Sequence, residues 1–295
     1  MISLLQGGVQ LRLDSAKGPL IARNAQHHTA QIEGDVYRFR GTGSPVIIER
    51  PWQGAVLSAN QVDAEIRALA DQTFVVQQGS FVGSASVVTD SDAADAALKA
   101  AGKPLPSRTI SERTEVSSDR FNYSGTEQEG TLVAPGALTT TDASHGTREV
   151  TRKINGQQLT GPEAFEQKWT LVGSSGTVAI DPGQSVAVKQ RLRKGDLNGP
   201  VTLHLTRSAK GPGDVAARLT AMDASADHVA FDFTGATRTI TATGHVVLTS
   251  DNGVFKGTVN ADKAVVTVDE NLNVKTIDTT GEPTTTTIHR LGGGK

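Results

Sequence analysis

The stretch Gly244-His245-Val246-Val247-Leu248-Thr249, resumed at Gly257-Thr258-Val259-Asn260-Ala261-Asp262-Lys263-Ala264-Val265-Val266-Thr267-Val268, alternates apolar and polar residues over most of its length. A period of two sends successive side chains to opposite faces of an extended chain, so it predicts strands rather than helix. Val246 and Leu248 fall on one face, Phe255 and Val259 come next, and Ala264, Val266 and Val268 follow. The phase slips near Asp262 and Lys263. A slip of one residue turns every later side chain over, which a bulge or a corner produces. Gly253, Asn271 and Gly281 stand where the turns are needed.

The same alternation runs outward from this stretch. Val201, Leu203 and Leu205 share a face opposite Thr202, His204 and Thr206, and Val229, Phe231 and Phe233 share another. A short pattern, an apolar residue, any residue, Ala, two residues, then Ala or Val, recurs at Leu20 to Ala25, Leu57 to Val62, Leu132 to Ala137, Leu219 to Ala224 and Val259 to Ala264. Spacing of this kind points to stacked β units. Residues 59–70 have a helix-like pattern too, yet their place inside a repeat copy favours a strand followed by a turn. Ser91 to Ala101 is the best helix, with a capping Ser or Asp, alanine-rich content and a terminal glycine, and Lys103 to Ser107 reads as an extended connector. Asn155-Gly156 predicts a hairpin, Gly161-Pro162 a loop or short turn, and Gly173-Ser174-Ser175-Gly176 a hairpin turn.

Composition narrows the function classes. Of 295 residues 37% are hydrophobic and 4% aromatic, so the core is expected to be built from Val, Ile, Leu and Ala. A net charge of -2 from nearly balanced acids and bases gives no electrostatic footprint for nucleic acid. Absence of cysteine removes disulfides, thiolate metal sites and a cysteine nucleophile. The start of the chain lacks a basic segment and a long apolar run, so neither signal peptide nor membrane span is read there.

Residues that tempt a chemist have plainer readings. His27-His28 lacks ligand spacing and suits a solvated strand end. His204, His228, His245 and His289 are scattered and read as surface or half-buried. Gly41-Thr42-Gly43-Ser44 lacks the Gly-Lys-Ser/Thr continuation of a phosphate loop and reads as a tight turn. Glu112 with Glu115, or Asp214 with Asp223, would have to meet in space to serve as an acid–base pair, and a chain with two Trp and two Tyr lacks sugar platforms. No enzyme, cofactor or metal site is expected. Trp52 and Trp169 are expected to plug sheet ends or mark a contact surface.

The order Gly244 to Thr249, Gly257 to Val266, then Ile277-Asp278-Thr279-Thr280-Gly281-Glu282-Pro283 resembles the OstA-like (LptA-type) family of lipopolysaccharide-transport proteins. A looser likeness covers Gly43 to Ile48 and Leu57 to Val62. The resemblance implies an all-β fold, an incomplete folded-over β jelly roll (β-taco) of antiparallel strands, here with one short helical insert. It divides the chain into an N-terminal OstA-like segment (1–90), a helical insert and connector (91–106), an irregular β middle (107–198) and a C-terminal OstA-like segment (199–295). It further implies an envelope or periplasmic protein that holds the acyl chains of lipopolysaccharide or another acylated lipid in an apolar groove. Other OstA-like proteins, or copies of this chain, would join it through sheet edges. The groove lining expected on this basis is Val246, Leu248, Val259, Ala264, Val266 and Val268. The alternative is a structural β solenoid with a filled core that assembles through its edges.

Overall fold

Threonine, valine and alanine at alternate positions favour extended backbone throughout, and one helical stretch interrupts it. The computed structural model describes residues 9–15, 17–70, 73–126, 129–154, 156–181, 192–214, 218–235, 237–251, 255–268, 274–281 and 285–290. In chain order the strands are β1 (Val9–Leu13), β2 (Leu20–Glu33), β3 (Val36–Arg50), β4 (Ala55–Ala68) and β5 (Phe74–Asp90), with a 3-10 turn at Pro51–Gln53. Helix α1 (Ser91–Ala100) follows, then β6 (Ile110–Gly125), β7 (Gly130–Ala134), β8 (Leu138–Ile154), β9 (Gln157–Gly173) and β10 (Ser175–Ile180). The last group is β11 (Leu192–Lys210), β12 (Arg218–Asp232), β13 (Arg238–Asp251), β14 (Phe255–Val268), β15 (Val274–Thr280) and β16 (Thr285–Arg290). The protein is therefore all-β with one short helix, of the folded-over jelly-roll class expected from the sequence.

The chain forms two compact units. The first comprises Met1–Pro106, Arg113–Thr140 and Ser175–Gly195, and the second Ser107–Glu112, Thr141–Ser174 and Asp196–Lys295. In the first unit β1 to β7 pair in sequence order and β10 lies on β7. In the second, β8 pairs with β9, β9 with β11, and β12, β13 and β14 continue the order. Strand β14 then receives two partners along one side, β15 on Lys263–Val268 and β16 on Phe255–Asn260. Every pairing between neighbouring strands given a register is antiparallel.

Most of the strands are far longer than an ordinary strand, and they bend at bulges that line up from neighbour to neighbour. In the first unit the register shifts between Thr42 and Val46 against β4, between Ser58 and Gln61 against β5, and between Val82 and Ala85 against β6. In the second it shifts between Ser225 and His228 and between Thr243 and Val246. The shift turns the pattern over. Strand β4 buries Ala55, Leu57 and Ala59 before the bulge and Val62, Ala64 and Ile66 after it. Strand β14 does the same with Ala261 and then Ala264, Val266 and Val268. Bending brings the two arms of a strand round one interior, and the one-residue flip keeps the apolar side of both arms facing it. The phase slip expected near Asp262 is this corner: Val246 pairs with Ala261 and Thr243 with Lys263, leaving Asp262 opposite Gly244 and His245.

The corners share a local chemistry. A short polar side chain on one strand packs on a glycine of the next, Asn60 on Gly83, Asp227 on Gly244 and Asp262 on Gly281, while at Gly43 the neighbour is the backbone carbonyl of Asn24. At Gly244 φ is 73°, in the left-handed region, and an added Cβ would stand 2.4 Å from Asp227 Oδ2. Only glycine meets both demands without strain. The second-unit corner in β12 is Ala226-Asp227-His228-Val229, which matches Ala59-Asn60-Gln61-Val62 and Ala261-Asp262-Lys263-Ala264 residue for residue in type. The copy read from sequence at Leu219 to Ala224 thus sits five residues too early.

Helix α1 starts where expected. The Asp90 carboxylate accepts hydrogen bonds from the backbone N–H groups of Asp92 and Ala93 at 2.9 and 3.0 Å, an N-cap. Residues 103–108 carry no regular structure. Strands β8 and β9 pair as the hairpin expected at Asn155-Gly156, although Asn155 itself lies outside the described residues, as do Gly253 and Asn271. Three turn assignments are corrected. Gly161-Pro162 lies inside β9, with Gly161 against Pro212. Gly41 to Ser44 lies inside β3, at its bulge, where the Ser44–Pro45 bond is cis. Gly173 to Gly176 is a bend between β9 and β10 and not a hairpin, because β9 pairs with β8 and β11 while β10 pairs with β7. Composition marked each as a glycine-rich break, yet the first two lie within long strands and the third is a bend between two strands.

Candidate functional site

The inward phase of the second unit holds the residues named from sequence. Val246 and Leu248 on β13 are buried, as are Ala264, Val266 and Val268 on β14, while Val259 is half-buried. Register brings them together: Leu248 faces Val259, Ala264 faces Ala242, and Val266 faces Ile240 on one side and Ile277 on the other. They form a continuous apolar patch. Three clefts among the described residues are lined by other residues.

Strand β9 extends this interior and then changes its chemistry. Its buried positions are Glu163, Phe165, Gln167, Trp169, Leu171 and Gly173. Trp169 meets Phe231 and Phe233 edge-on, both with ring centroids at 6.1 Å. This corrects the expectation for Trp169, which is 4% exposed inside an aromatic cluster and neither an end plug nor a contact surface. Trp52 lies on the 3-10 turn of the first unit and packs against Gly18.

Toward the start of β9 stands a charged cluster. Arg148 on β8 donates to Glu163 Oε2 from Nε at 2.9 Å and from Nη2 at 2.7 Å, and Arg207 on β11 donates to the same oxygen at 2.7 Å. Arg152 donates to Glu163 Oε1 and to Asp214 Oδ2. Arg218 lies 3.8 Å from Glu163 and 3.4 Å from Asp214. The Glu163 side chain is 2% exposed, and that of Arg218 is 57% exposed. Arg148 also lies over the Phe165 ring, 4.8 Å from its centroid. Burial pushes the Glu163 carboxyl up, but the hydrogen bond from Arg148 and the charges of Arg207, Arg148 and Arg152 outweigh it and hold the group below its ordinary value. Asp214 is also held low, first by the Gly211 N–H at 2.9 Å and then by Arg152.

Beside the cluster, a cleft of about 850 Å³ crosses β8, β9, β11 and β12 and reaches the end of β13. Arg207, Lys168, His145, Thr206, Ser208 and Thr220 are among its lining residues. A second cleft of about 360 Å³ holds His204 and Asp223.

The histidines are exposed or half-buried, and each of three has a partner that spacing in sequence does not show. His204 Nδ1 is 2.6 Å from Asp223, His228 Nε2 is 3.1 Å from Asp196, and His245 Nδ1 is 2.7 Å from Asp227. The Asp227 contact raises the His245 pKa. The side chain of His289 lies outside the described residues. Asp214 and Asp223 take different partners, an arginine pair and a histidine.

Sequence reading missed Glu163 and its arginines. The signal was present in the alternation, since Glu163 has the parity of Phe165, Trp169 and Leu171, and Arg148 and Arg152 share theirs with the buried Thr140 and Asp142. No family model, no curated protein and no solved structure matches the chain.

Proposed function

We propose that this chain is a cell-envelope lipid-binding protein of the lipopolysaccharide-export type, which shelters acyl chains on the apolar interior face of its bent strands. The carrying observation is the aligned set of bulges, which turns both arms of each long strand inward and makes one continuous aliphatic face from Val246, Leu248, Val259, Ala264, Val266 and Val268. Each methylene moved from water onto such a face contributes about 0.8 kcal/mol, so a few acyl turns suffice for tight binding without catalytic groups. Edge strands supply the means of access and of linkage: among the described residues β1 pairs with β2 alone, and β15 and β16 with β14 alone, so their outer backbone groups can receive a strand from another OstA-like protein or from a second copy.

A second reading has its own support. Five of the six candidate residues are fully buried, as in the filled core of a scaffold that assembles through its edges. The experiment that separates the two is mass spectrometry of lipid co-purified with the protein, joined to photo-crosslinking from positions 246 and 266. Acylated lipid captured at both positions supports the carrier. A lipid-free protein whose crosslinks stay within the chain refutes it.

A further inference from the structure

The interior face of the first unit reaches solvent along the second half of β2. Among the described residues β1 pairs with Leu20 to Arg23 of β2, and the register of β2 against β3 then shifts between Arg23 and Ala25 and again between Ala25 and His27. Past those shifts His28, Ala30 and Ile32 take the inward phase, since Ala30 pairs with Phe39 and Ile32 with Tyr37, whose next partners across the sheet are the buried Ala64 and Ile66. All three are nonetheless exposed. Ile32 is 52% exposed, while Ile66 in the same row is 0%. A cleft of about 270 Å³ opens here, with Leu11 of β1, His28, Ala30 and Ile32 of β2 and Tyr37 of β3 in its lining. Leu11 is 2% exposed and pairs with Ala22, ahead of the shifts, so both arms of the bent sheet wall the cleft. Its rings are held from behind: Tyr37 meets Phe74 edge-on at 5.6 Å, and His28 stacks on Phe39 at 6.3 Å. Arg38 at the rim lies 3.6 Å from Glu65 and 3.8 Å from Glu33, so its charge already has partners.

We infer that this cleft binds the tail of a single-chain amphiphile, an unbranched alkyl chain of about ten carbons. An apolar cavity of about 150 Å³ accepts a benzene ring, so about 270 Å³ accommodates roughly ten carbons of one chain and leaves no room for a second chain beside it. Leu11, Ala30, Ile32 and the Tyr37 ring offer carbon to that tail. The head group stays at the rim, where an engaged Arg38 gives a carboxylate no advantage over a hydroxyl. The site goes beyond the carrier reading above: it lies in the first unit and needs nothing of the face on β13 and β14.

The test is calorimetry of the whole protein with n-hexanol, n-octanol, n-decanol and n-dodecanol, each below its solubility limit. Affinity rises about fourfold per methylene up to decanol, because each buried methylene adds the same increment, and levels off at dodecanol. Ala30→Phe places a ring in the cleft from an exposed strand position and removes decanol binding. Ile32→Ser takes away one wall and weakens binding about tenfold. Circular dichroism and urea midpoints close to wild type establish that both variants fold. Two further probes separate the sources of the chain: capture of decanoate and of decanoyl lysophosphatidylcholine alike assigns the site to single-chain lipids in general, and capture of decanoate alone assigns it to free fatty acids. Ala30→Phe leaves acyl lipid capture at positions 246 and 266 as in wild type, so this site and the carrier reading fail separately. Affinity without dependence on chain length overturns the inference, as does decanol binding equal in wild type and Ala30→Phe. So does a photo-crosslink from position 32 to residues 1–8 of the same chain that decanol does not displace, since the chain then fills its own cleft.

Discussion

The corner at Gly244 permits a prediction with two separable parts. Substituting Ala adds a Cβ to a residue at φ 73°, which costs about 1–2 kcal/mol for a left-handed L-residue. The same Cβ would lie 2.4 Å from Asp227 Oδ2, 2.8 Å from its Cβ and 2.9 Å from its Cγ, so Asp227 must swing away and leave His245. Because the collision falls on Asp227 from its Cβ outward, rotation relieves it only in part, and Gly244→Ala is expected to cost about 2–3 kcal/mol in total. Asp227→Ala alone removes an exposed pair and changes stability little. The double variant Gly244→Ala/Asp227→Ala retains the backbone cost but not the collision, so it is more stable than Gly244→Ala by about 1 kcal/mol. Urea denaturation of the four proteins measures this cycle, provided the slopes agree. Simple additivity of the two single effects, or a Gly244→Ala protein as stable as wild type, refutes the account of the corner as glycine stacked under Asp227.

Other perturbations follow from the same structure. Val266→Asp places a carboxylate on the apolar face; the carrier reading expects a folded β protein by circular dichroism with lipid capture reduced at least about tenfold, and an unfolded protein refutes an openable face. Glu163→Ala leaves buried guanidiniums facing one another and is expected to cost about 3–5 kcal/mol by urea midpoint. Since the folded Glu163 pKa lies below its unfolded value, its contribution is present above the unfolded pKa and is lost as pH falls through the folded one, so the gap between wild type and variant narrows in acid and a constant gap refutes the assignment. His245 titrates above an ordinary histidine in an NMR titration, and Asp227→Asn returns it toward the ordinary value. Asp90→Ala removes the α1 cap and lowers stability by about 1 kcal/mol, with the loss of helical signal confined to this segment.

Period-two alternation made the strands and the slip at Asp262 legible, because a half-buried strand writes its two faces directly into the sequence. Helix α1 was legible for a similar reason: Asp90, the alanines and Gly102 act locally. The corners were harder. Gly161-Pro162, Gly41 to Ser44 and Gly173 to Gly176 contain the residues of turns, yet the first two lie within strands and the third joins two strands that do not pair with each other, because a bulge or bend needs the same backbone freedom as a turn and only the partner strand distinguishes them. Pairs across strands were harder still. His204 and Asp223, or Arg148 and Glu163, are joined by register, which depends on where each long strand bends. Glu163 was hidden for another reason, since a charged residue in the inward phase reads as a lapse in the apolar pattern until three arginines from β8 and β11 are seen around it.

That lapse bears on the choice between carrier and scaffold. Replacing a buried ion cluster by well-packed apolar residues of similar volume is often neutral or stabilising, so stability alone gives a filled core no reason to hold Arg148, Arg152, Glu163 and Arg207 on its inward face. Most of the rest of that face is Val, Leu, Ala, Phe and Trp, with Gln167 and Asp142 among its buried polar residues. A face that is aliphatic along β13 and β14, aromatic at Trp169, Phe231 and Phe233, and charged around Glu163 has the graded polarity of a molecule with an apolar tail and a polar head. A scaffold requires only the first part of that gradient, and an amphiphile requires all of it. Substitution at Arg207 therefore tests more than stability: normal edge-to-edge assembly with lost lipid capture would separate the charged end from any scaffolding role, whereas lost assembly with lipid capture unchanged would tie the cluster to structure and count against the carrier.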